Sequence, residues 1–308
     1  MNRLVKLTDV TLRDGLQSYP KLISTCKKLN MFKTIAKTGI NGIEIGSNVS
    51  PKVSQMADIQ KMLYGVNQFY RQNPYQKRDM DIKVLVPTSK KLDQLLEMPG
   101  VESVNTISVI TATTCNFTKK NMNMTIEESL KQIDDMLESA TGSGKQFRVY
   151  ISCCFGCPFT TNSPEELAKM ANHAGYIIQK YLDHSSVSEI VISDTIGTFS
   201  FQQLERILNM IESIAIFKNK IGLHLHIDKN EIAIAVPQII ENYGIRNLDI
   251  AFGDIGGCPT VRASGARQPI NMDAIETVNA IDSILGVKTM DLNQTYIANY
   301  IVKKVLEN

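Results

Sequence analysis

Two histidines separated by one residue carry the sharpest chemical signal in the sequence. They lie in residues 222–228 (GLHLHID), where the aliphatic residues predict a β-strand. Because side chains two apart on a strand share a face, both His224 and His226 should point the same way, with Asp228 as an additional candidate. Paired imidazoles on one face are typical metal ligands, so the run predicts a metal site. From chemistry alone, two histidines and a carboxylate could also hold Fe(II) for oxygen chemistry, a third possibility that a barrel context argues against.

A second group of charged residues follows or interrupts the early predicted strands. Arg13 and Asp14 precede a glycine where the first predicted strand ends, and Glu44 stands between two isoleucines in the second. Successive side chains of a strand point to opposite faces of the sheet. If the two isoleucines face the helices, Glu44 therefore points to the other face. An Arg–Asp pair that caps the next helix is the alternative interpretation of Arg13 and Asp14.

Two later strand ends also carry polar groups. Asp194 follows the sixth predicted strand, where it could line a site or cap a helix. The eighth strand runs into residues 253–259 (GDIGGCP), a glycine-rich loop that contains Gly256, Gly257 and the thiol of Cys258. Such a loop could admit a phosphate or permit movement, and a plain turn with an inert cysteine is the alternative.

The elements that must position these residues alternate regularly along the chain. About eight short β-branched runs alternate with longer stretches of helical period, which predicts a parallel sheet. The predicted strands are 4–10, 42–46, 82–87, 104–110, 147–153, 189–194, 222–227 and 248–252. The predicted helices are 25–37, 53–71, 90–97, 126–140, 164–181, 201–214, 231–242 and 272–285, with an additional C-terminal helix at 291–306.

This arrangement favours a single (β/α)8 TIM barrel over residues 1–308, of the α/β class, because no linker interrupts the units. An open doubly wound sheet is the alternative. It would more naturally show a glycine-rich dinucleotide turn after the first strand, and residues 11–15 (TLRDG) are not one. In a barrel, function lies where the strands end and the βα loops begin.

Composition excludes several classes of protein. Hydrophobic residues make up 43% and charged residues 21% of the 308, so the chain can bury a large core. A net charge of +2 does not suggest nucleic-acid or membrane-surface binding, and the apolar runs are too short to span a bilayer. The N-terminus enters a strand pattern directly, which favours the cytoplasm. The six cysteines are interpreted as reduced thiols, with Cys153, Cys154 and Cys157 as packing residues rather than zinc ligands.

Together these motifs resemble the 3-hydroxy-3-methylglutaryl-CoA (HMG-CoA) lyase family, among the metallolyase barrels that also include isopropylmalate and homocitrate synthases. The resemblance extends over nearly the whole chain, and Leu16 favours the lyase branch because the synthases usually have glutamate there. It rests on residues 13–17 (RDGLQ), 44, 49–52 (VSPK), 55–56 (QM), 117–121 (FTKKN), 126–129 (IEES), 152–153 (SC), 156–158 (GCP), 194–197 (DTIG), 224–226 (HLH) and 256–259 (GGCP).

The resemblance implies a barrel that binds Mg²⁺ or Mn²⁺ and cleaves HMG-CoA to acetyl-CoA and acetoacetate, a reaction of leucine degradation. It implies that Asp14, His224 and His226 bind the metal and that Arg13 faces the thioester oxygen. The implied catalytic residues are Arg13, Asp14, Glu44, Asp194, His224 and Cys258, and the implied substrate-binding residues are Arg13, Gln17, Gly256 and Gly257. It also implies an acyl-CoA substrate and a homodimer.

The sequence departs from the family pattern near the metal. The family normally has Ala-Ser-Gly-Asn after its Gly-Gly-Cys-Pro element, with that asparagine as a further ligand, and here Ala266 takes its place. An alanine cannot coordinate a metal, so we expect Asp228 or water to replace the amide. Two alternatives follow: a metallolyase acting on a different hydroxyacyl-CoA, and a catalytically silent paralogue that binds an acyl-CoA or a protein partner.

Overall fold

Eight parallel strands form a closed barrel in which each strand pairs with its sequence neighbours and β8 pairs with β1. The computed structural model describes residues 5–74, 80–211, 218–257 and 269–307. The strands are β1 Lys6–Asp9, β2 Gly42–Ser47, β3 Asp81–Leu85, β4 Thr106–Ala112, β5 Gln146–Ser152, β6 Val187–Ser193, β7 Ile221–His224 and β8 Asn247–Ile250. The predicted (β/α)8 barrel is therefore confirmed, whereas the assignment of all 308 residues to one domain stays a prediction.

Helices surround the strands. They are α1 Thr25–Ala36, α2 Ile59–Gln72, α3 Ser89–Leu96, α4 Cys115–Met122, α5 Ile126–Ser139, α6 Pro164–Leu182, α7 Phe201–Leu208, α8 Lys229–Asn242, α9 Ala274–Leu285 and α10 Leu292–Glu307. The branched aliphatic residues of the strands are almost fully buried, as expected for a parallel sheet covered by helices.

Side-chain caps define several helix starts. Thr125 and Glu128 form a capping box at α5, and Ser163 caps α6 with Pro164 in its first turn. Each such cap satisfies backbone N–H groups that the helix leaves unpaired. These two starts were predicted, and Pro237 lies inside α8 without ending it.

Some predicted boundaries are wrong for local physical reasons. The predicted helix from residue 53 is a 3₁₀ turn, Ser54–Met56, followed by α2 from Ile59. Helix α4 was not predicted, because only Phe117 and Thr118 of its eight residues are buried, so its sequence shows little apolar period. Strand β7 ends at His224, so His226 lies beyond it, and the predicted helix 201–214 ends at Leu208 with its last residues outside the described part.

The predicted C-terminal helix is confirmed as α10, which packs against α1. It also supports the start of the loop after β8. Gly253 adopts a φ of 84°, and a Cβ there would lie 2.5 Å from Cγ1 of Val302. Only glycine therefore allows α10 to approach this closely.

Candidate metal and acyl-CoA site

Three side chains converge at the C-terminal end of the barrel. Asp14 lies in a π-helical turn, Thr11–Gly15, that follows β1, while His224 is the last residue of β7 and His226 lies two residues further on. Asp14 Oδ2 is 3.7 Å from His224 Nε2 and 3.8 Å from His226 Nε2. Within the described residues this is a group whose ligand atoms all lie within 4.8 Å of one another, which is close enough to hold one metal ion.

Both imidazoles are oriented from behind by an acceptor at Nδ1. His224 Nδ1 lies 3.0 Å from Oδ2 of Asp249, and His226 Nδ1 contacts the backbone oxygen of Asp194. These acceptors favour a proton on each Nδ1, which leaves the Nε2 lone pairs facing Asp14. His226 Nε2 is buried and has no hydrogen-bond partner among the described residues. A carboxylate and two imidazoles, one of them with an unpartnered lone pair, fit a divalent cation.

Arg13 is buried beside this group and held in place by two carboxylates. Its Nε donates to Glu44 Oε2 at 2.5 Å, and its Nη1 donates to Asp14 Oδ1 at 2.6 Å. The guanidinium also lies 5.1 Å from the ring centroid of Tyr150. Burial opposes ionisation of Asp14, but the adjacent Arg13 cation outweighs it and holds the pKa of Asp14 well below its usual range. Asp14 is therefore an anionic oxygen donor at neutral pH.

A buried polar network fills the barrel beneath the three convergent residues. Arg148 on β5 donates to Glu189 at 2.8 Å and to Asp249 at 2.5 Å. The Tyr150 hydroxyl donates to Asp249 Oδ2 at 3.0 Å and to Glu44 Oε2 at 3.3 Å. Desolvation opposes the charge on Asp249, but Arg148 and His224 hold the pKa of Asp249 well below its usual value. The Tyr150 hydroxyl thus links Asp249, which contacts His224, to Glu44, which contacts Arg13.

Asp194 has a structural role in this geometry. Its Oδ1 accepts the N–H groups of Gly197 and Thr198 at 3.0 Å each, and its Oδ2 accepts that of Phe199 at 3.2 Å. Asp194 does not cap a helix, since Ser200 is the N-cap of α7; its carboxylate instead holds the loop after β6, and the residue also lines the main cavity. Its backbone oxygen orients His226.

Two cavities meet at His226. The larger, about 690 Å³, is lined by Arg13, Asp14, Gln17, Asp194, His224 and His226 among others. The smaller, about 420 Å³, is lined by residues that include His226, Asp228 and Asn271. The larger cavity brings the convergent group and Arg13 to one concave surface, which is the arrangement expected of a small-molecule site.

The structure does not bring every predicted residue into the group. Asp228 is exposed and caps α8, where its Oδ1 accepts from the backbone and side chain of Asn230 at 3.0 and 2.9 Å. The expectation that Asp228 replaces a metal ligand is therefore wrong, because its carboxylate is already used at the helix start. Cys258 and Ala266 lie outside the described residues.

Gly256 and Gly257 lie at the edge of the site rather than along the cavities' described linings. A Cβ on Gly256 would lie 2.7 Å from the backbone nitrogen of Asn271, so its lack of a side chain admits that residue. The Gly257 carbonyl accepts a hydrogen bond from Ser18 Oγ at 2.8 Å. Substrate binding by either glycine stays a prediction.

Four residues near the site were not predicted: Arg148, Tyr150, Asp249 and Asn271. A signal existed for three of them, since each is a polar residue alternating with aliphatic or aromatic ones on a strand, the pattern that identified Glu44. Asn271 gave no such signal, because it lies between elements in a segment without periodicity.

This barrel, with a carboxylate, two histidines and a buried arginine at its strand ends, belongs to the class of carbon–carbon lyases, as comparison with known proteins shows. The chain belongs to the HMGL-like family, whose model matches residues 4–263.

Individual relatives agree with this assignment. The chain is 30% identical over 265 residues, 85% of this chain and 74% of the relative, to the mitochondrial hydroxymethylglutaryl-CoA lyase of Bos taurus. It is 29% identical over 287 residues, 92% of this chain and 71% of the relative, to the cytoplasmic 3-hydroxy-3-methylglutaryl-CoA lyase of Homo sapiens. A solved HMG-CoA lyase from Acinetobacter baumannii, in complex with coenzyme A and 3-methylmalate, superposes with a TM-score of 0.79 at 25% identity, covering 99% of this chain and 92% of that one.

Among the described residues, no helix combines the length and apolar character needed to cross a membrane.

Proposed function

We propose that this chain is a divalent-metal-dependent lyase that cleaves HMG-CoA to acetyl-CoA and acetoacetate. The observation that carries the proposal is the approach of Asp14, His224 and His226 within 4.8 Å of one another, beside a buried arginine, in a member of the HMGL-like family. The names of its relatives supply the substrate class.

Asp14, His224 and His226 would hold Mg²⁺ or Mn²⁺. When bound, such an ion would supply Lewis-acid polarisation of the hydroxyl and carboxylate oxygens of the substrate, which lowers the cost of removing the hydroxyl proton. The residues fit this ion because Asp14 is anionic and His226 Nε2 is a buried lone pair without a partner in the described part of the chain.

Arg13 is proposed to stabilise the charge that develops on the departing acetyl-CoA. Carbon–carbon cleavage leaves an enolate oxygen on that fragment, and a fixed cation beside it lowers the barrier. Arg13 keeps its charge at any physiological pH, and Glu44 and Asp14 fix its guanidinium at the cavity wall. Because both carboxylates are already in place, little reorganisation is needed when charge appears on the substrate.

Glu44, Asp194 and Asp249 are proposed to position the groups that touch substrate. Glu44 holds Arg13, Asp249 orients His224, and the Asp194 backbone oxygen orients His226. Gln17 lines the larger cavity and is proposed to contact the acyl group, and Gly256 and Gly257 are proposed to border the bound thioester. Cys258 is proposed to carry a proton, by resemblance to the family alone.

The remaining assignments also rest on resemblance. We propose that the chain works as a homodimer. We also propose that it is located in the cytoplasm, because the human relative named above is a cytoplasmic lyase. Light scattering on the purified protein will test the dimer, and imaging of a tagged chain will test the location.

Acetoacetate release is the test of the proposed reaction. Chelator-treated protein is incubated with HMG-CoA and either Mg²⁺ or Mn²⁺, beside Asp14→Asn, which keeps the shape of the side chain but loses its charge. We expect product from the wild type with added metal and at least 100-fold less from the variant. A wild type that yields no product with either ion contradicts the proposal.

A panel of other 3-hydroxyacyl-CoA compounds, run beside HMG-CoA, separates the proposed substrate from a related one. Isothermal titration with an acyl-CoA in the absence of turnover identifies a silent binding protein. In that case the thioester binds while no compound in the panel is cleaved.

A further inference from the structure

Asp254 lies in the loop after β8 and has a backbone conformation that is unusual for a residue with a side chain. Its φ is 56°, in the left-handed region that favours glycine. Aspartate tolerates this region better than most residues, but the conformation is still unfavourable and persists only where the surroundings hold it. The contacts of the Asp254 side chain identify what holds it.

Two lysines from different helices meet at the Asp254 carboxylate. Lys229 Nζ lies 2.7 Å from Oδ1 of Asp254, and Lys303 Nζ on α10 lies 2.7 Å from Oδ2. Lys229 Nζ also lies 3.0 Å from Oδ2 of Asp273, the N-cap residue of α9. Burial opposes ionisation of Asp254, but hydrogen bonds from the two lysines lower the pKa of Asp254 from 3.8 to about 2. Together these four charged side chains, the Asp254 cluster, join the loop after β8 to three helices.

The residue after Asp254 reaches the carboxylate that is proposed to bind the metal. The backbone oxygen of Ile255 accepts from Nδ2 of Asn271 at 3.2 Å, and the same nitrogen donates to Oδ2 of Asp14 at 3.0 Å. The Ile255 side chain also packs against Gly15, where a Cβ would lie 2.8 Å from its Cδ1. A displacement of Ile255 would therefore disturb both the turn that carries Asp14 and the amide that donates to it.

Lys229 ties Asp254 to the segment that carries His226. It is the first residue of α8 and lies three positions after His226 in the sequence. His226, Lys229 and Asp254 all line the smaller cavity. The ion pair between Lys229 and Asp254 therefore joins the segment of one proposed metal ligand to the loop that contacts the other, Asp14.

Helix α10 supports the same loop and the segment after Asp14. Asn299 Oδ1 on this helix accepts the N–H of Gly253 at 2.9 Å, next to Asp254. The backbone oxygen of Leu306 accepts the hydroxyl of Tyr19 at 2.8 Å. Lys303 lies between these two contacts and is not among the described residues that line either cavity. An effect of Lys303 on the metal site must therefore be indirect.

We propose that Asp254 is a positioning residue for the metal site. By pairing with Lys229 and Lys303 it holds the loop after β8 against α8 and α10, and this keeps Asp14 and His226 close enough to share one cation. This inference rests on the proposed metal site. Between 36% and 43% of each paired side chain is exposed, so salt should weaken the pairs, and their contribution to the stability of the fold should be small.

Mn²⁺ binding to the chelator-treated full chain, followed by electron paramagnetic resonance, tests the proposal without turnover. Asp254→Asn keeps the size of the side chain and tolerates the same φ, but it loses the charge that pairs with the lysines. We expect it to weaken binding by about 3- to 10-fold, less than for a residue that contacts a metal ligand directly.

The matched control is Asp228→Asn. It removes a carboxylate two residues from His226, keeps a capping oxygen for α8 and lies outside the Asp254 cluster. Its affinity for Mn²⁺ should stay within about twofold of the wild type, because the exposed charge of Asp228 is well screened. An equal loss of affinity in Asp228→Asn and Asp254→Asn would show that the effect is one of net charge, which overturns the proposal.

Lys303→Met separates positioning from charge by the sign of its effect. Loss of a positive charge by itself favours the binding of a cation, so a purely electrostatic effect predicts tighter Mn²⁺ binding. Loss of the contact to Asp254 predicts binding that is weaker by about 2- to 5-fold, and Lys303→Arg, which keeps the charge, should retain most of the affinity. Tighter or unchanged binding in Lys303→Met overturns the proposal.

Salt should remove the difference between the wild type and Asp254→Asn. In about 1 M potassium chloride, where the Debye length is about 3 Å, the two Mn²⁺ affinities should agree within about twofold. A difference that persists unchanged at this salt concentration contradicts a role of the ion pairs.

Melting temperatures of the metal-free proteins distinguish positioning from general stability. Asp254→Gly relieves the left-handed φ, so it should melt at about the same temperature as the wild type or higher, yet bind Mn²⁺ as weakly as Asp254→Asn. Melting temperatures that fall in step with Mn²⁺ affinity across the variants would assign the Asp254 cluster to the stability of the fold and overturn the proposal.

The wild type separates this proposal from the proposed reaction. A wild type that binds Mn²⁺ but releases no acetoacetate refutes the proposed reaction and leaves the test of Asp254 intact. A wild type that binds no Mn²⁺ overturns both.

Discussion

Asp249 holds His224 from behind: Oδ2 of the aspartate lies 3.0 Å from Nδ1 of the imidazole, and Oδ1 of the same carboxylate accepts from Arg148 at 2.5 Å. The Asp249 carboxylate therefore contacts both His224, which lines the cavity, and the fully buried guanidinium of Arg148. A neutral amide in its place would bind each partner less strongly.

We expect Asp249→Asn to weaken Mn²⁺ binding by about 10- to 100-fold, because the orientation and basicity of His224 depend on the carboxylate. The matched control is Glu189→Gln, which removes the other anionic partner of Arg148 and has no contact with His224 in the described hydrogen bonds. Both variants should lower the melting temperature, since each weakens the compensation of a buried charge. An equal loss of Mn²⁺ affinity in the two would show that the effect is general destabilisation.

Replacing Arg13 should separate catalysis from metal binding. In Arg13→Met, kcat should fall by about 10²- to 10³-fold because the enolate loses its cation. Mn²⁺ affinity should stay the same or rise, since Asp14 loses a competing positive neighbour. Steady-state kinetics and a Mn²⁺ titration measure the two effects.

The single variant leaves Glu44 buried without its cation, so the double variant Arg13→Met/Glu44→Gln is the control for stability. The same fall in kcat in both variants supports the proposed role of Arg13. Weaker Mn²⁺ binding in both would instead assign Arg13 to the structure of the metal site.

Stability should decrease as pH rises from about 4 to 7 through Asp9. Burial raises the pKa of Asp9 from 3.8 to about 7, and the nearby carboxylates of Asp249 and Glu44 contribute, against the hydrogen bonds from Thr11. In this pH range the folded chain keeps a proton that the unfolded chain releases. The free energy of unfolding therefore falls by up to about 1.4 kcal/mol per pH unit and levels off above pH 7.

Asp9→Asn should remove this dependence on pH. As pH rises from 5 to 8, the stability of the variant should therefore increase relative to that of the wild type. Urea unfolding of the metal-free protein at both values measures it. Asp93→Asn, at an exposed position of α3, is the control. It should leave the change in unfolding free energy between pH 5 and pH 8 close to that of the wild type. A gap between the wild type and Asp9→Asn that is constant with pH would contradict the assignment.

The sequence predicted the barrel because its strands and helices differ clearly in period and length, and because Asp14 and the histidines follow strands whose ends meet. The two histidines converge as expected, although one step of the argument was wrong, and their binding of a metal stays a prediction. His226 lies beyond β7, and the acceptor at its Nδ1, rather than strand alternation alone, turns its Nε2 toward Asp14.

The hydrogen bond from Asn271 to Asp14 could not be predicted, because the two residues are separated by 257 positions of sequence. Asp228 was chosen because it is close to His226 in sequence. Its use at a helix start depends on where α8 begins, and the strand pattern does not contain that information.

The π-helical turn after β1 sets a limit on how the length of this chain can vary. Thr11–Gly15 is packed so closely that a Cβ on Gly15 would lie 2.8 Å from Ile255 Cδ1. Inserting or deleting one residue there would rotate Asp14 by about a quarter turn or more and direct its carboxylate away from the histidines. In a library of single-codon insertions and deletions, positions 11–14 should be among the least permissive, whereas connections on the opposite rim, such as 141–145, should accept changes of length.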